Sequence, residues 1–209
     1  RPLVFYGSEG MGLHANNLSV HVSIASWMWG TYLGEDALTK GIRVKTSSFT
    51  RHMVNSVMCR AKATGGYINS VMALQEVAKD GYDEALLLDA EGMVAEGTGE
   101  NLFIVKNGEL FTPVLTSALE GITRETIIQL AKNLNLKISE KKITRDEVYI
   151  SDEAFFTGTA AEVTPIRELD GRQIGAGSIG KITSLLQKAY LEAVKGVNTF
   201  DEDWLTFIS

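Results

Sequence analysis

Three short segments, far apart in this chain, combine small turn-forming residues with polar side chains that could do chemistry. They are Lys62 to Tyr67, Glu96 to Asn101 and Gly158 to Ala161. The first segment places a lone lysine just before a turn, in a chain that is not basic. Lys62 by itself could be an ordinary solvated lysine, as most lysines are. Its role therefore depends on what the other segments contribute.

A fourth segment, Gly121-Ile122-Thr123, begins a predicted amphipathic helix. The first backbone N–H groups of a helix have no partner within it, and the helix dipole adds a positive field, so a phosphate could bind there. Thr123 could instead be a routine helix cap. The segment from Gly158 to Ala161 offers a second cluster of N–H groups with the Thr159 hydroxyl, or simply a tight strand of small residues packed under a helix.

Composition narrows the possible partners. The chain has 209 residues, 44% of them hydrophobic, with only three prolines, so it can bury a core as one large domain or one domain plus part of another. The formal net charge is −6, and there is no run of Lys or Arg. This balance argues against nucleic acid or an anionic membrane as the main partner, and it favours small metabolites.

Cysteine and histidine usage predicts neither a disulfide nor a metal site. Cys59 is the single cysteine, and the three histidines have no metal-ligand spacing. No apolar stretch approaches the ~20 residues of a membrane span, and the N-terminus lacks a signal pattern. We therefore predict a cytoplasmic protein.

The hydrophobic pattern predicts a mixed α/β sheet. Helical periodicity covers residues 52–80 with a break at Gly65-Gly66, and two hairpins follow over residues 82–113, the second turning at Asn107-Gly108. Further helices are predicted over residues 121–136 and 178–194, and the predicted strands outside the hairpins cover residues 3–6, 18–29, 42–49, 137–143 and 153–166. Strands and helices alternate without a regular βαβ period, so a doubly wound sheet is not expected.

Taken together, the motifs resemble a known family. The segments "RPLVFYGSEGMG", "MWGTYLG", "AKATGGYINS", "VAEGTGENLF", "EGITRETII" and "FFTGTAAEVTPI" occur in the order found in the branched-chain amino acid aminotransferases, pyridoxal-phosphate enzymes of fold type IV. The resemblance runs from Arg1 to beyond Arg167. "EGTGENLF" with "GTAAEVTPI" separates the chain from the D-amino acid aminotransferases and the aminodeoxychorismate lyases.

The resemblance implies an α/β fold in which a large C-terminal domain with a mixed sheet follows the end of a small N-terminal α/β domain. We expect residues 1–27 to be the remnant of the small domain, 28–37 the linker and 38–209 the large domain that binds pyridoxal 5'-phosphate. The family's first domain, with an arginine that helps to hold the cofactor phosphate, is not in this sequence. The chain starts without an initiator methionine and already in strand character, which suggests the middle of a gene product.

The resemblance assigns six residues to the cofactor. It makes Lys62 the Schiff-base residue and the acid/base for the proton shift, because a lysine amine can form the imine and then move a proton. Glu96 corresponds to the carboxylate that keeps the pyridine nitrogen protonated, so that the ring acts as an electron sink. Tyr67 matches the tyrosine that binds the phenolic oxygen. The matched phosphate clamp consists of Ile122, Thr123 and Thr159.

Substrate residues follow from the same resemblance. The N–H groups of Ala160 and Ala161 match those that hold the substrate α-carboxylate, and Arg1 matches an arginine that receives the distal carboxylate of glutamate. Four residues match the family positions that line an apolar pocket for the substrate side chain: Met11, Leu13, Trp29 and Tyr32. Plain core packing is the alternative for Trp29 and Met11.

The implied function is transfer of an amino group between Leu, Ile or Val and 2-oxoglutarate, so the partners are small amino acids and 2-oxo acids. The implied assembly is a homo-oligomer, a dimer or a hexamer. Two alternatives stay open. One is a fold-type-IV transaminase for a D-amino acid, an aromatic amino acid or an (R)-amine, and the other is a non-catalytic homologue with a binding or assembly role. The intact set of Lys62, Tyr67, Glu96 and Thr159 argues against the second.

Overall fold

The computed structural model describes residues 1–30, 32–34, 36–197 and 204–206. The chain divides into two compact units, Arg1–Gly30 and Thr31–Ser209. The finer division predicted above, with a linker over residues 28–37, stays a prediction.

The N-terminal unit is a two-stranded antiparallel ribbon. Strand β1 (Pro2–Tyr6) pairs with β2 (Val20–Ile24), with Val4 opposite Val22. The strand predicted over residues 18–29 is shorter than expected, because the ladder to β1 ends where the Ala25 N–H donates to the Arg1 carbonyl.

The second unit is built on a mixed sheet, as the alternation of elements predicted. Within the described residues the sheet has nine strands, with eight in the order β5-β4-β3-β10-β9-β6-β7-β8 and β11 paired with β10. The strands are β3 (Ile42–Thr46), β4 (Glu84–Leu88), β5 (Val94–Glu96), β6 (Asn101–Lys106), β7 (Glu109–Pro113), β8 (Ile138–Lys141), β9 (Glu153–Gly158), β10 (Glu162–Leu169) and β11 (Arg172–Gln173). The parallel pairs are β3–β10, β3–β4 and β7–β8.

Helices cover parts of this sheet. They are α1 (Ala37–Lys40), α2 (Tyr67–Lys79), α3 (Ile122–Asn133), α4 (Arg145–Tyr149) and α5 (Lys181–Val194). Because side chains alternate across a strand, neighbouring β6 residues belong to different clusters. Phe103 packs with Ile127 of α3 and Leu186 of α5, whereas Leu102 packs with Val44 and Ile166. Phe103 also stacks on the opposite Phe155 of β9, with ring centres 5.1 Å apart.

Both predicted hairpins are present. Strands β4 and β5 pair antiparallel, as do β6 and β7. The second hairpin turns at Asn107 and Gly108, whose φ angles of 51° and 79° have the positive sign that a type I′ turn requires.

The helix predicted over residues 52–64 is wrong. That stretch is irregular, with an isolated bridge between Val54 and Val57, and Asn55 has a φ of 69°, which a right-handed helix cannot accommodate. Helical structure begins only with a single 3-10 turn, Thr64–Gly66, that runs into α2. The sequence reading also missed α4, although Thr144 and Glu147 form a capping box, a signal visible in the sequence.

No helix in the described ranges is long and apolar enough to cross a membrane.

Candidate active site

One cavity of about 200 Å³ in the second unit is lined by all six residues assigned to the cofactor, Lys62, Tyr67, Glu96, Ile122, Thr123 and Thr159. They come from four segments: the approach to α2, the end of β5, the start of α3 and the turn after β9. Arg51, Arg60, Glu100, Asn101 and Glu120 also contribute to its wall. Residues separated by almost 100 positions in the sequence are thus brought to one place by the sheet.

Lys62 lies two residues before the 3-10 turn that leads into α2. Its Nζ is 5.9 Å from the centre of the Tyr67 ring. The lysine is exposed, and it forms no ion pair with any residue of the described ranges. Its positive charge acts on the Glu96 carboxyl without an ion pair.

Glu96 ends β5 and is only 4% exposed. Its Oε1 accepts a hydrogen bond from Arg51 Nε at 2.7 Å, and its Oε2 accepts one from the Leu119 N–H at 3.0 Å. Burial raises the pKa of this carboxyl, and the Arg51 charge and the Leu119 N–H oppose that rise. The arrangement supplies a buried carboxylate whose negative charge is held by a guanidinium.

Arg51 is a residue that the sequence analysis missed. Besides Glu96, its guanidinium donates to Asn69 Oδ1 at 3.2 Å and to Ser70 Oγ at 3.1 Å, both on α2. Arg51 thus ties the helix that follows Lys62 to the strand that carries Glu96. Its partner lies 45 positions away, so no local pattern in the sequence marks the pair.

The start of α3 carries the predicted anion site. Gly121 is the N-cap residue, and no side chain caps the helix. Thr123 lies inside the helix after this N-cap and makes no cap bond, so it is not the cap that the alternative interpretation proposed. Backbone N–H groups at this end are therefore not occupied by a capping side chain, and an anion could accept from them.

The turn between β9 and β10 carries the remaining cluster of small residues. Thr159 lines the cavity, and Ala160 and Ala161 follow it in the same turn, the first exposed and the second buried. The chain leaves the turn through Glu162, whose φ is 53°. The roles predicted for the two alanines stay predictions.

The other predicted substrate residues lie outside the turn between β9 and β10. Arg1, Met11, Leu13 and Trp29 belong to the N-terminal unit, where Met11 and Leu13 are fully exposed. Tyr32 is partly exposed in the second unit. Their roles in substrate binding stay predictions.

A second cavity of about 300 Å³ is lined by residues that include Lys106, Glu109, Lys141 and Glu147. Each of these charged side chains already forms an ion pair. The cavity with Lys62 differs because it combines an unpaired amine, a buried carboxylate and an uncapped helix end. We therefore take it as the candidate active site.

We predict that Gly121→Ala destabilises this site. A Cβ at Gly121 would lie 2.1 Å from Asn101 Oδ1, whose side chain also donates to the Leu119 carbonyl. Overpacking of this kind costs about 1–3 kcal/mol, so we expect a lower free energy of unfolding in denaturant titrations. Gly99→Ala is the matched control, because a Cβ there meets nothing within 4 Å. Equal stability of the two variants would contradict the close contact.

Comparison with known proteins defines the class. Residues 1–169 match the amino-transferase class IV family, and the chain belongs to that family. Its fold is accordingly that of the fold-type-IV aminotransferases, as the sequence motifs predicted.

Individual relatives within this family carry more specific names. The chain is 62% identical over 208 residues to a branched-chain-amino-acid aminotransferase of Pseudomonas aeruginosa, covering 100% of this chain and 68% of the relative. The crystal structure of the Escherichia coli branched-chain amino acid aminotransferase superposes with a TM-score of 0.96 at 43% identity, over 100% of this chain and 69% of that chain. The T.th. branched-chain amino acid aminotransferase complexed with N-(5'-phosphopyridoxyl)-L-glutamate gives 0.91 at 44% identity, over 100% and 68%. The chain thus spans about two thirds of the length of these relatives.

Proposed function

We propose that this chain is part of a transaminase that moves the amino group between a branched-chain amino acid (Leu, Ile or Val) and 2-oxoglutarate, with pyridoxal 5'-phosphate as its cofactor. The observation that carries the proposal is the single cavity lined by Lys62, Glu96 and the start of α3. An amine, a buried carboxylate and free helix N–H groups correspond to the aldehyde, the ring nitrogen and the phosphate of that cofactor.

When bound, the cofactor supplies an electron sink for the electrons released at the substrate Cα. In this chain, Lys62 would supply the amine for the cofactor aldehyde and would then take the proton from the substrate Cα. Glu96 would hold the proton on the ring nitrogen, and Arg51 keeps Glu96 oriented through the 2.7 Å bond. Ile122 and Thr123 offer N–H groups to the phosphate, and Thr159 offers its hydroxyl. Tyr67 would bind the phenolic oxygen.

The substrate half of the proposal draws on the relatives. The T.th. relative is complexed with a phosphopyridoxyl derivative of glutamate, which supports glutamate as the amino donor or product here. We infer that Ala160 and Ala161 hold the α-carboxylate, and that Arg1 receives the distal carboxylate of glutamate. The alkyl side chain of the branched substrate would lie among Met11, Leu13, Trp29 and Tyr32.

Amino-donor profiling of the full-length protein tests this proposal. Glutamate formed from 2-oxoglutarate is measured with Leu, Ile and Val, and in parallel with D-alanine, L-phenylalanine and an (R)-amine. We expect Leu, Ile and Val to be the best donors. Preference for a donor of the second set would assign the chain to another transaminase, and a protein without bound cofactor or activity would indicate a binding role.

We also propose that the protein works as a homo-oligomer in the cytoplasm. Helix α2 buries Ala73 and Val77 against β4 but exposes Ile68, Val71 and Met72, and an exposed apolar face of this kind is typical of an interface. A second copy is the partner that fits the proposal. Light scattering of the full-length protein at low concentration is expected to give a multiple of the chain mass, and a single-chain mass would contradict this.

A further inference from the structure

A pair of buried glutamates lies beside the candidate active site. Glu84, the first residue of β4, is 0% exposed, and Glu100, in the turn between β5 and β6, is 4% exposed. Their carboxyl groups accept hydrogen bonds from consecutive backbone N–H groups, those of Thr98 and Gly99, and they lie close enough to interact electrostatically. Glu100 also lines the cavity that contains Lys62 and Glu96.

The partners of the two carboxyl groups are unequal. Glu84 Oε1 accepts from the Ala85 N–H at 2.7 Å and from the Thr98 N–H at 3.3 Å, whereas Glu84 Oε2 has no donor among the described residues. Glu100 accepts from the Gly99 N–H at 2.9 Å. Glu84 is therefore better stabilised as an anion, and Glu100 is better suited to keep a proton. A protonated Glu100 provides the hydrogen that a bond between two carboxyl groups requires.

The electrostatics favour the same assignment. Burial, together with the negative charge of Glu84, raises the pKa of Glu100 to about 8. The acidic groups that act on it are Glu84 from β4 and Glu96 from β5. Arg51, Arg60 and Lys62 line the same cavity, and Arg51 is already bonded to Glu96. The turn around Glu100 contributes neutral N–H groups. Two buried carboxylates that interact this closely do not both ionise readily near neutral pH.

The turn that carries Glu100 also connects two residues of the site. It runs from Glu96, at the end of β5, to Asn101, at the start of β6, and the Gly97 N–H donates to the Glu100 carbonyl at 2.7 Å. The Thr98 N–H fastens the same turn to Glu84. The interaction between Glu84 and Glu100 therefore also fixes the backbone turn that positions Glu96 and Asn101.

We propose that Glu84 and Glu100 share one proton, and that this buried acid pair is a positioning element which fixes the 97–100 turn and keeps Glu100 neutral beside Glu96. The part that concerns Glu96 rests on the proposed transaminase function, whereas the shared proton does not. With Glu100 neutral, its side chain adds no negative charge to the cavity wall beside Glu96. Glu96 then ionises more readily than it would beside a second carboxylate.

Infrared spectroscopy of the full-length holoenzyme tests the shared proton directly. With ¹³C-labelled glutamate, the carbonyl band of a protonated carboxylic acid should be present at pH 7, disappear as the pH rises through about 8, and be missing from Glu100→Gln. Glu109→Gln is the matched control, because it removes a surface carboxyl whose partner is Lys137, and it should keep the band. Absence of the band in the unmodified protein at pH 7 would overturn the proposal.

Unfolding equilibria give a second measurement. The folded-state pKa of Glu100 lies above its unfolded value, so between about pH 4.5 and 8 the folded state binds one proton more than the unfolded state. Stability is therefore lost as pH rises across this range. The unfolding constant of the unmodified protein relative to Glu100→Gln should increase about tenfold per pH unit, and then level off above pH 8. A ratio that does not change with pH would overturn the shared proton.

Two variants test whether the Glu84–Glu100 pair influences the ionisation of Glu96 or only supports the fold. Glu100→Gln and Glu84→Gln leave the same single negative charge on the pair, but the first leaves it on Glu84 and the second moves it to Glu100, in the cavity wall. The acid limb of the rate–pH profile should therefore shift to higher pH in Glu84→Gln and stay in place in Glu100→Gln. Equal profiles would overturn the link to Glu96. If Glu84→Gln does not fold, or no donor is transaminated, the infrared result still decides whether the proton is shared.

Discussion

Replacing Lys62 by alanine is expected to abolish covalent attachment of the cofactor and to reduce transamination by at least the ~10²–10⁴-fold that a positioned acid/base contributes. Both losses have one cause, the removal of an amine that has no ion-pair partner in the described ranges. The free energy of unfolding should change by no more than about 0.5 kcal/mol, because Lys62 is exposed. Non-covalent binding of the cofactor phosphate at the start of α3 should persist.

Borohydride reduction followed by peptide mapping checks this assignment. The reduced phosphopyridoxyl label is expected on Lys62 of the unmodified protein and on no residue of the Lys62→Ala variant. Lys79→Ala is the matched control, since Lys79 is an exposed lysine at the end of α2, and it should keep both label and activity. A label on another lysine, or near-normal turnover without Lys62, would refute the role of this residue.

Glu96→Gln is expected to slow transamination by about 10²–10³-fold, the loss that follows removal of one preorganised electrostatic partner. A neutral amide cannot hold the proton on a pyridine nitrogen. The variant also weakens the buried ion pair with Arg51, and its amide N–H₂ meets either the Arg51 guanidinium or the Leu119 N–H, both donors. Stability should therefore fall by about 1–3 kcal/mol, the cost of leaving buried polar groups unsatisfied.

Two measurements separate these effects. Denaturant titration gives the loss of stability, and single-turnover kinetics at saturating cofactor gives the loss of rate in the molecules that remain folded. In the unmodified enzyme, the rate should fall on acidification at a pH above the ordinary glutamate value of 4.5, because burial raises the pKa of Glu96. This acid limb should be lost in Glu96→Gln. Turnover at the unmodified rate would remove Glu96 from the mechanism.

Elements with strong local signals were predictable from the sequence. The hairpin at Asn107-Gly108 needs positive φ at two adjacent residues, which these residue types tolerate. Helix α3 follows from its apolar periodicity after Gly121. The stretch before Lys62 was wrongly predicted as a helix because most of its residues are helix formers. Asn55 has a left-handed backbone conformation, which interrupts a helix.

The sequence alone determined the class of protein, and it predicted the six residues assigned to the cofactor, because their types and order carry the chemistry. Tertiary structure decided how these residues are supported. Arg51 meets Glu96 across 45 positions, and Glu100, in the turn between β5 and β6, lies beside Glu84 of β4. Contacts of this kind leave no periodic or local pattern in the chain. They arise only when the strands pair, since burial then forces each polar group to find a partner or to keep a proton.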